Sequence, residues 1–355
     1  MASSFDPRLV NGPFGDPGLF VGMRWQGAAA LFDLGRNDGL PAGEMLRVTH
    51  IFVSHTHMDH FIGFDRVLRL FLNRDRRLRL YGPAGIGDCV AGKLRGYVWN
   101  LTQDYPFAID VTEVRRDGCE RWLFRASTGF EREELVPDLP GAEERSASPL
   151  LVDAGHFRVR AAITDHKIPC LAFAMDEPQH LNIDGERLAQ EGLQPGRWLA
   201  ELKDALRAGA SDEVSLEVAS ADGTARSMAL ADLRGLVRIT RGQKLGYVVD
   251  TRFMPENLDV LLPVMKDATT LFCEASFLDA DRDQAAMRYH LTAAEAGAIG
   301  RYAAADRLRV FHYSSRYQGK GDRLKREAEA AFRGRCVPGA LEDFDFSALG
   351  LPASA

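Results

Sequence analysis

The chain has 355 residues, 46% of them hydrophobic, with a formal net charge of −6 and a pI near 5.9. That supports one large core or two modest ones, and the acidic balance argues against a dedicated nucleic-acid coat. No apolar run approaches the roughly 18–20 residues of a membrane span, and the start "MASSFDPRLVNGPFGDPG" lacks a signal-peptide profile. Five scattered cysteines (Cys89, Cys119, Cys170, Cys273, Cys336) form no CxxC pair. A cytoplasmic globular protein without a disulfide framework or a thiolate metal site is expected.

Short apolar or β-branched runs recur along the chain, each ending on a polar residue and leading into a helix-like segment. "HIFVSH", His50–His55, reads as a buried strand. The "FDRVLRLFL" after it puts Phe64, Val67, Leu68 and Phe71 on one helical stripe. Arg66–Leu80 carries six arginines against one aspartate, and Arg301–Arg335 is also basic; both read first as solvated helix faces. The tract Phe130–Pro149, rich in Asp, Glu and Pro, reads as a surface loop. "HFRVRAAITDH", His156–His166, alternates as a half-buried strand with a polar tip. Much of Glu177–Gln243 also reads as loop, an insertion with no strong metal ligand. "LGYVVDTR" and "TLFCEASF" are further strands, with Asp250 and Glu274 at or near their ends. Thr292 and Glu295 have capping-box spacing, which starts a helix just after His290, and "RLRVFHYSSRY" holds a strand ending at His312. Strands that feed helices and end on reactive residues imply a layered α/β fold.

The densest chemistry is "SHTHMDH", which puts three of the nine histidines and one aspartate within six residues, His55 to His60. In extended backbone, residues i and i+2 point the same way, so His55 and His57 can face one metal ion. Asp59 and His60 follow where the chain turns toward a helix, and can face a second. Imidazole with carboxylate suits zinc, manganese or iron. Four ligands do not complete two sites; His166, His312, Asp250 and His290 stand at strand ends or helix starts, where further ligands are expected. His50, His156 and His180 have ordinary settings, and read as hydrogen-bonded or solvated imidazoles.

HTHMDH resembles the signature of the metallo-β-lactamase fold, and the downstream pieces resemble its ribonuclease Z (tRNA 3′-processing endonuclease) branch. The similarity runs from about Phe20 to Tyr317, through "LFDLG", "IFVSHTHMDHFIGFD", "LYGPAGI", "TDHKIPCLAF", "YVVDTR", "EASF", "HLTAAEA" and "FHYSSRY". It implies a single αββα-sandwich domain over residues 1–355, with an inserted arm at about 177–245. It implies two zinc ions per chain, with manganese or iron as alternatives. His55, His57 and His166 would bind one ion, Asp59, His60 and His312 the other, and Asp250 would bridge them. His290 would be the catalytic histidine and Glu274 the glutamate that orients it, with Asp59 also counted in the catalytic set. Precursor tRNA as substrate, hydrolysis of a phosphodiester and a homodimer follow from the same resemblance. The chain departs from the family pattern at its opening, "LVNGPFGDPGLFVGMRW", in place of a Gly-Thr-Gly-like turn. It departs again at Cys273, where a histidine is common, and at Arg197 in the arm, where a second proline is expected. The last bears on substrate choice and not on bond cleavage. Two rival readings share these residues. One is a phosphodiesterase for small or cyclic nucleotides, or an ester or lactone hydrolase, on the same metals. The other is a non-catalytic, metal-binding RNA-interaction subunit.

Overall fold

The computed structural model describes residues 4–24, 26–137, 139–140 and 147–335. Cys336 and part of the Phe130–Pro149 tract lie outside them. Eight strands form the first sheet in chain order: β1 (Phe5–Leu9), β2 (Leu19–Met23), β3 (Ala29–Phe32), β4 (Val48–Phe52), β5 (Arg77–Pro83), β6 (Ala108–Arg115), β7 (Gly118–Arg125) and β8 (Arg132–Leu135). β3 to β6 run parallel, and the flanking pairs are antiparallel. Part of the tract expected to be loop is therefore an edge strand: β8 pairs with β7 over Arg132–Leu135. Along β3 and β4 the side chains alternate. Leu31 and Ile51 join the core under the helices Phe64–Phe71 and Ile86–Arg95, while Phe32 and Phe52 point to the other face. The helical stripe is as expected: Phe64, Val67, Leu68 and Phe71 are buried.

The second sheet is built from β9 (Leu150–Asp153), β10 (Arg158–Asp165) and β11 (Pro169–Asp176), and is completed late in the chain. Between them the chain forms β12 (His180–Ile183), β13 (Ser215–Ala219), β14 (Ala225–Ala229) and β15 (Val237–Thr240). The late strands are β16 (Lys244–Val248), β17 (Thr270–Glu274) and β18 (Leu308–Phe311), in the order β18-β17-β16-β11-β10-β9. The helices Pro255–Met265, Ala293–Tyr302 and Gly321–Phe332 bury their apolar faces with this sheet around Leu261, Leu271, Ile299 and Leu324. Between the sheets, Phe32 and Phe52 meet Phe173 at 5.7 and 5.5 Å between ring centroids, and Phe32 meets Tyr247 at 5.7 Å. Helices, sheet, sheet and helices give four layers, the metallo-β-lactamase fold. Among the described residues, no helix is long and apolar enough to cross a membrane.

Residues 153–158 and 176–243 form a compact unit of their own. The reading of much of Glu177–Gln243 as loop does not hold. β12 pairs with β15, β13 and β14 make a hairpin, and Leu188, Trp198, Leu202, Val218, Leu230 and Leu233 form a separate core. The segment misleads because Gly, Pro and charged residues punctuate it, although the ten-residue helix Trp198–Arg207 carries Trp198 and Leu202 on one buried face.

Candidate metal centre

β4 ends at Phe52, and the histidines of the SHTHMDH segment lie beyond it, not on an extension of the strand. Val53–Thr56 form a loop, and His57, extended at φ −62° and ψ 153°, caps the short helix Met58–Phe61. His55 and His57 still converge, with ring centroids 4.4 Å apart. β10 ends at Asp165, one residue before His166, and β18 at Phe311, one before His312. Asp250 stands two residues beyond β16. All of these positions lie at the C-terminal edges of strands, where polar side chains escape the apolar layers.

The structure brings the seven expected ligands together. His55, His57, His166 and Asp250 form one group, and Asp59, His60 and His312 another, each with its donor atoms within 4.8 Å of one another. Asp250 lies between them. Its Oδ2 is 3.5 Å from His55 Nε2, 3.5 Å from His166 Nε2 and 3.4 Å from His60 Nε2, and its Oδ1 is 3.1 Å from His312 Nε2. Asp59 Oδ2 is 3.5 Å from His60 Nε2 and 3.8 Å from His312 Nε2. Most of these spacings exceed a hydrogen bond, about 2.7–3.2 Å. They match two donors each about 2.0–2.1 Å from one tetrahedral ion, which lie roughly 3.4 Å apart. Among the described residues, His55 Nε2 and His60 Nε2 are buried without a hydrogen-bond partner, and so is Asp250 Oδ1, because His312 Nε2, although 3.1 Å away, is not aligned to donate to it. Leaving three such atoms unsatisfied in a folded core is costly, and a divalent cation relieves all three. The donor set therefore fits metal ions.

The titration of these groups follows from the same crowding. Burial, with the neighbouring His60, pushes His55 down to about 2, so its ring is neutral and ready to donate a lone pair. Burial, then His166, also lowers His57. Burial acts against the charged form of His60, but Asp250 and Asp33 outweigh it and hold this imidazole well above its ordinary value. Burial likewise opposes the Asp250 carboxylate, which His60 and His312 hold well below the usual range. Backbone strain concentrates here: Asp33, Lys167, Asp250, Tyr289 and His312 all take positive φ, between 42° and 62°. Non-glycine residues pay for that conformation, and the cost is met only where neighbours over-determine the geometry.

His290 and Glu274 meet as expected. His290 Nδ1 lies 2.9 Å from Glu274 Oε2, and Glu274 is itself fully buried. Thr251 N and Leu291 N donate to Glu274 Oε1 at 2.9 and 3.2 Å, and Ser276 Oγ donates to Oε2 at 3.0 Å, which fixes the carboxylate in place. Burial disfavours the His290 cation, but Glu274 and then Asp250 raise its pKa to about 9. His290 also lies within metal-binding reach of Asp250 and His312. His50, His156 and His180 stay outside the cluster; His50 Nδ1 meets Thr49 Oγ1 at 2.9 Å, and His180 Nδ1 meets Glu177 at 3.0 Å.

Sequence reasoning gave no role to Asp33, which is 1% exposed at the end of β3. Its Oδ2 accepts from His60 Nδ1, Ser54 Oγ and Tyr247 Oη, each at 2.9 Å, and its Oδ1 from Ser54 N at 2.7 Å. This carboxylate orients His60 so that Nε2 faces Asp250. An aspartate straight after the apolar run "AALF" was the available signal. Gly35, two residues on, lets the two segments close: a Cβ there would lie 2.7 Å from the Asp59 carbonyl oxygen. Asn257 was missed as well. It bonds Asp165 N and O at 2.8 and 3.1 Å and Thr251 Oγ1 at 3.0 Å, tying together the segments that carry His166 and Asp250.

No family model matches the chain. Curated relatives do. It is 33% identical to the ribonuclease Z of Deinococcus radiodurans over 298 residues, 83% of this chain and 85% of that one. It is 28% identical to the ribonuclease Z of Natronomonas pharaonis over 340 residues, 94% of this chain and 92% of that one. Among solved structures, the short form of human tRNase Z aligns with a TM-score of 0.51 at 21% identity, covering 88% of this chain and 93% of that one. The metallo-β-lactamase fold protein YhfI of Bacillus subtilis aligns with a TM-score of 0.51 at 14% identity, covering 92% and 94%. At those identities the structural likeness speaks to the fold.

Proposed function

The chain belongs to the ribonuclease Z family, and from that premise we propose that it is a metal-dependent endonuclease that removes 3′ trailers from precursor tRNA, using two zinc ions. The observation that carries this reading is the buried Asp250 carboxylate set among His55, His60, His166 and His312, its contacts mostly at metal-ligand spacing.

His55, His57 and His166 would hold one ion, Asp59, His60 and His312 the other, with Asp250 shared. Two divalent ions so held would activate water and stabilise charge at phosphorus. The chain's own part is to aim these ligands and to handle the proton of the departing oxygen. With Nδ1 turned to Glu274, the His290 ring has its other nitrogen left to give that proton. Glu274 fixes the tautomer and favours the protonated ring. Glu274 acts through His290 and is a positioning residue. A homodimer belongs to the same reading and rests on the family alone, while a cytoplasmic location rests on the cysteine usage.

The test is cleavage of a precursor tRNA with a 3′ trailer beside bis(p-nitrophenyl) phosphate, with metal analysis of the same preparation. Removal of the trailer supports the reading. Hydrolysis of the small diester with the precursor left intact points instead to a small-molecule phosphodiesterase.

A further inference from the structure

A cleft of about 360 Å³ adjoins the ligand cluster, near the lower end of the roughly 300–1,000 Å³ typical of small-ligand sites. One wall is the turn that carries His166, which lends the cleft its neighbours Asp165, Lys167 and Ile168. The β6–β7 turn, with Arg115, Arg116 and Asp117, supplies another wall. Ile163, Ile168 and Pro169 make much of the surface apolar.

The charges are unevenly matched. Arg115 is held by Glu113 and Glu120. Among the described residues, Arg116 pairs with no carboxylate; its Nη2 donates to the Ile163 carbonyl at 3.3 Å, and the side chain is exposed. Lys167 Nζ sits 5.0 Å from the centre of the Tyr289 ring, and Arg252 Cζ lies 5.3 Å from the same ring, neither with a carboxylate partner among those residues. In a chain with more acidic than basic side chains, 50 against 44, cations left over beside a catalytic centre invite an anion from outside. Asp117 and Asp165 also line the cleft, so a bare anion is a poor occupant. A ligand with a phosphate, a flat apolar body and hydrogen-bond donors satisfies every wall.

We propose that this cleft takes one nucleotide of the RNA adjoining the scissile phosphate. Its base lies on Ile163, Ile168 and Pro169, and its phosphate is held by Arg116 and Lys167. The inference rests on the ribonuclease reading, since a small diester has no neighbouring nucleotide to place there.

The test compares zinc-loaded wild type, Arg116→Ala and Arg116→Lys on trailer-bearing precursor tRNA and on bis(p-nitrophenyl) phosphate, across a salt series. Arg116→Ala is expected to lower kcat/KM on precursor tRNA about tenfold more than on the small diester, as for loss of one charge-assisted contact. Its plot of log kcat/KM against log salt should flatten by about 0.7–0.9, the share of one phosphate. Arg116→Lys should recover most of the loss. If Arg116→Ala matches wild type on precursor tRNA in rate and slope, or loses equally on both substrates, the cleft does not hold the nucleotide, while the ribonuclease reading stands. If wild type hydrolyses the diester and leaves the precursor intact, the ribonuclease reading falls and this inference with it.

Discussion

Asp250 shows how far single side chains define the centre. One carboxylate, 2% exposed, faces four imidazoles, yet among the described residues no donor is aligned on its Oδ1. Such an arrangement is stable only with positive charge between the groups, supplied by protons on the rings or by metal. The residue scale yields two predictions. His290→Ala should keep its metal and fold while kcat on precursor tRNA falls about 10²–10⁴-fold, the range for losing a general acid. A substrate with nitrophenolate as leaving group needs that proton less and should lose less. Glu274→Ala should give part of the same defect, and the double mutant should be less than additive, because the pair acts as a unit. Equal losses on good and poor leaving groups would remove His290 from the proton-donor role. The second concerns Asp33, whose bond to His60 fixes a ligand. Asp33→Asn should weaken metal binding about 10–100-fold, as outer-shell changes do. Chelator competition would measure it, and wild-type affinity would mean that Ser54 and the backbone orient His60 without the carboxylate.

At the scale of elements, strand ends position the chemistry and helix caps secure it. The helix Ala293–Tyr302 opens with the capping box that its sequence signals: Glu295 N donates to Thr292 Oγ1 at 3.2 Å, and Thr292 N to Glu295 Oε2 at 2.7 Å. Burial raises the Glu295 carboxyl from about 4.5 to about 7, aided by Asp279 and opposed by the Thr292 backbone bond. A folded pKa above the unfolded one gives stability that is complete below about pH 4.5 and is lost as pH rises through about 7. Glu295→Gln keeps an acceptor for Thr292 N but cannot titrate, so its Tm should decline less than wild type between pH 5 and 8. Parallel declines would place that pH dependence elsewhere. The strands that lead to His55, His166, Asp250, Glu274 and His312 and the helix Phe64–Phe71 were legible because apolar periodicity reports burial directly, as at Phe64, Val67, Leu68 and Phe71. The convergence of His55, His57, His60 and Asp59 was legible from their spacing, although the strand was read three residues too long. The role of Asp33 was not, since its contacts with His60 and Tyr247 cross 27 and 214 residues of chain. The small core at Trp198 and Leu202 was overlooked, although Trp198, Leu199, Leu202 and Leu206 have helical spacing, because Pro195 and Gly196 before them read as loop.

At the scale of the whole molecule, a generic hydrolytic centre has to be directed to one class of RNA. The segment 176–243 has twelve acidic against eight basic side chains, a poor composition for gripping phosphates. If it serves as the tRNA-recognition arm, it does so through shape and few ionic contacts. Deleting part of Glu186–Leu206 should then impair cleavage of precursor tRNA and spare bis(p-nitrophenyl) phosphate, because only binding energy from remote parts of the substrate is lost. The salt slope on precursor tRNA should change little. Equal loss on both substrates would make the segment structural, and equal retention would assign substrate choice to the main unit. The catalytic expectations depend on Asp250 and the six side chains around it holding a pair of ions. Elemental analysis of the protein after zinc-supplemented refolding measures that directly. The expected result is close to two divalent ions per chain for wild type, with His57→Ala losing metal and activity together. Less than about half an equivalent in wild type would contradict the binuclear centre.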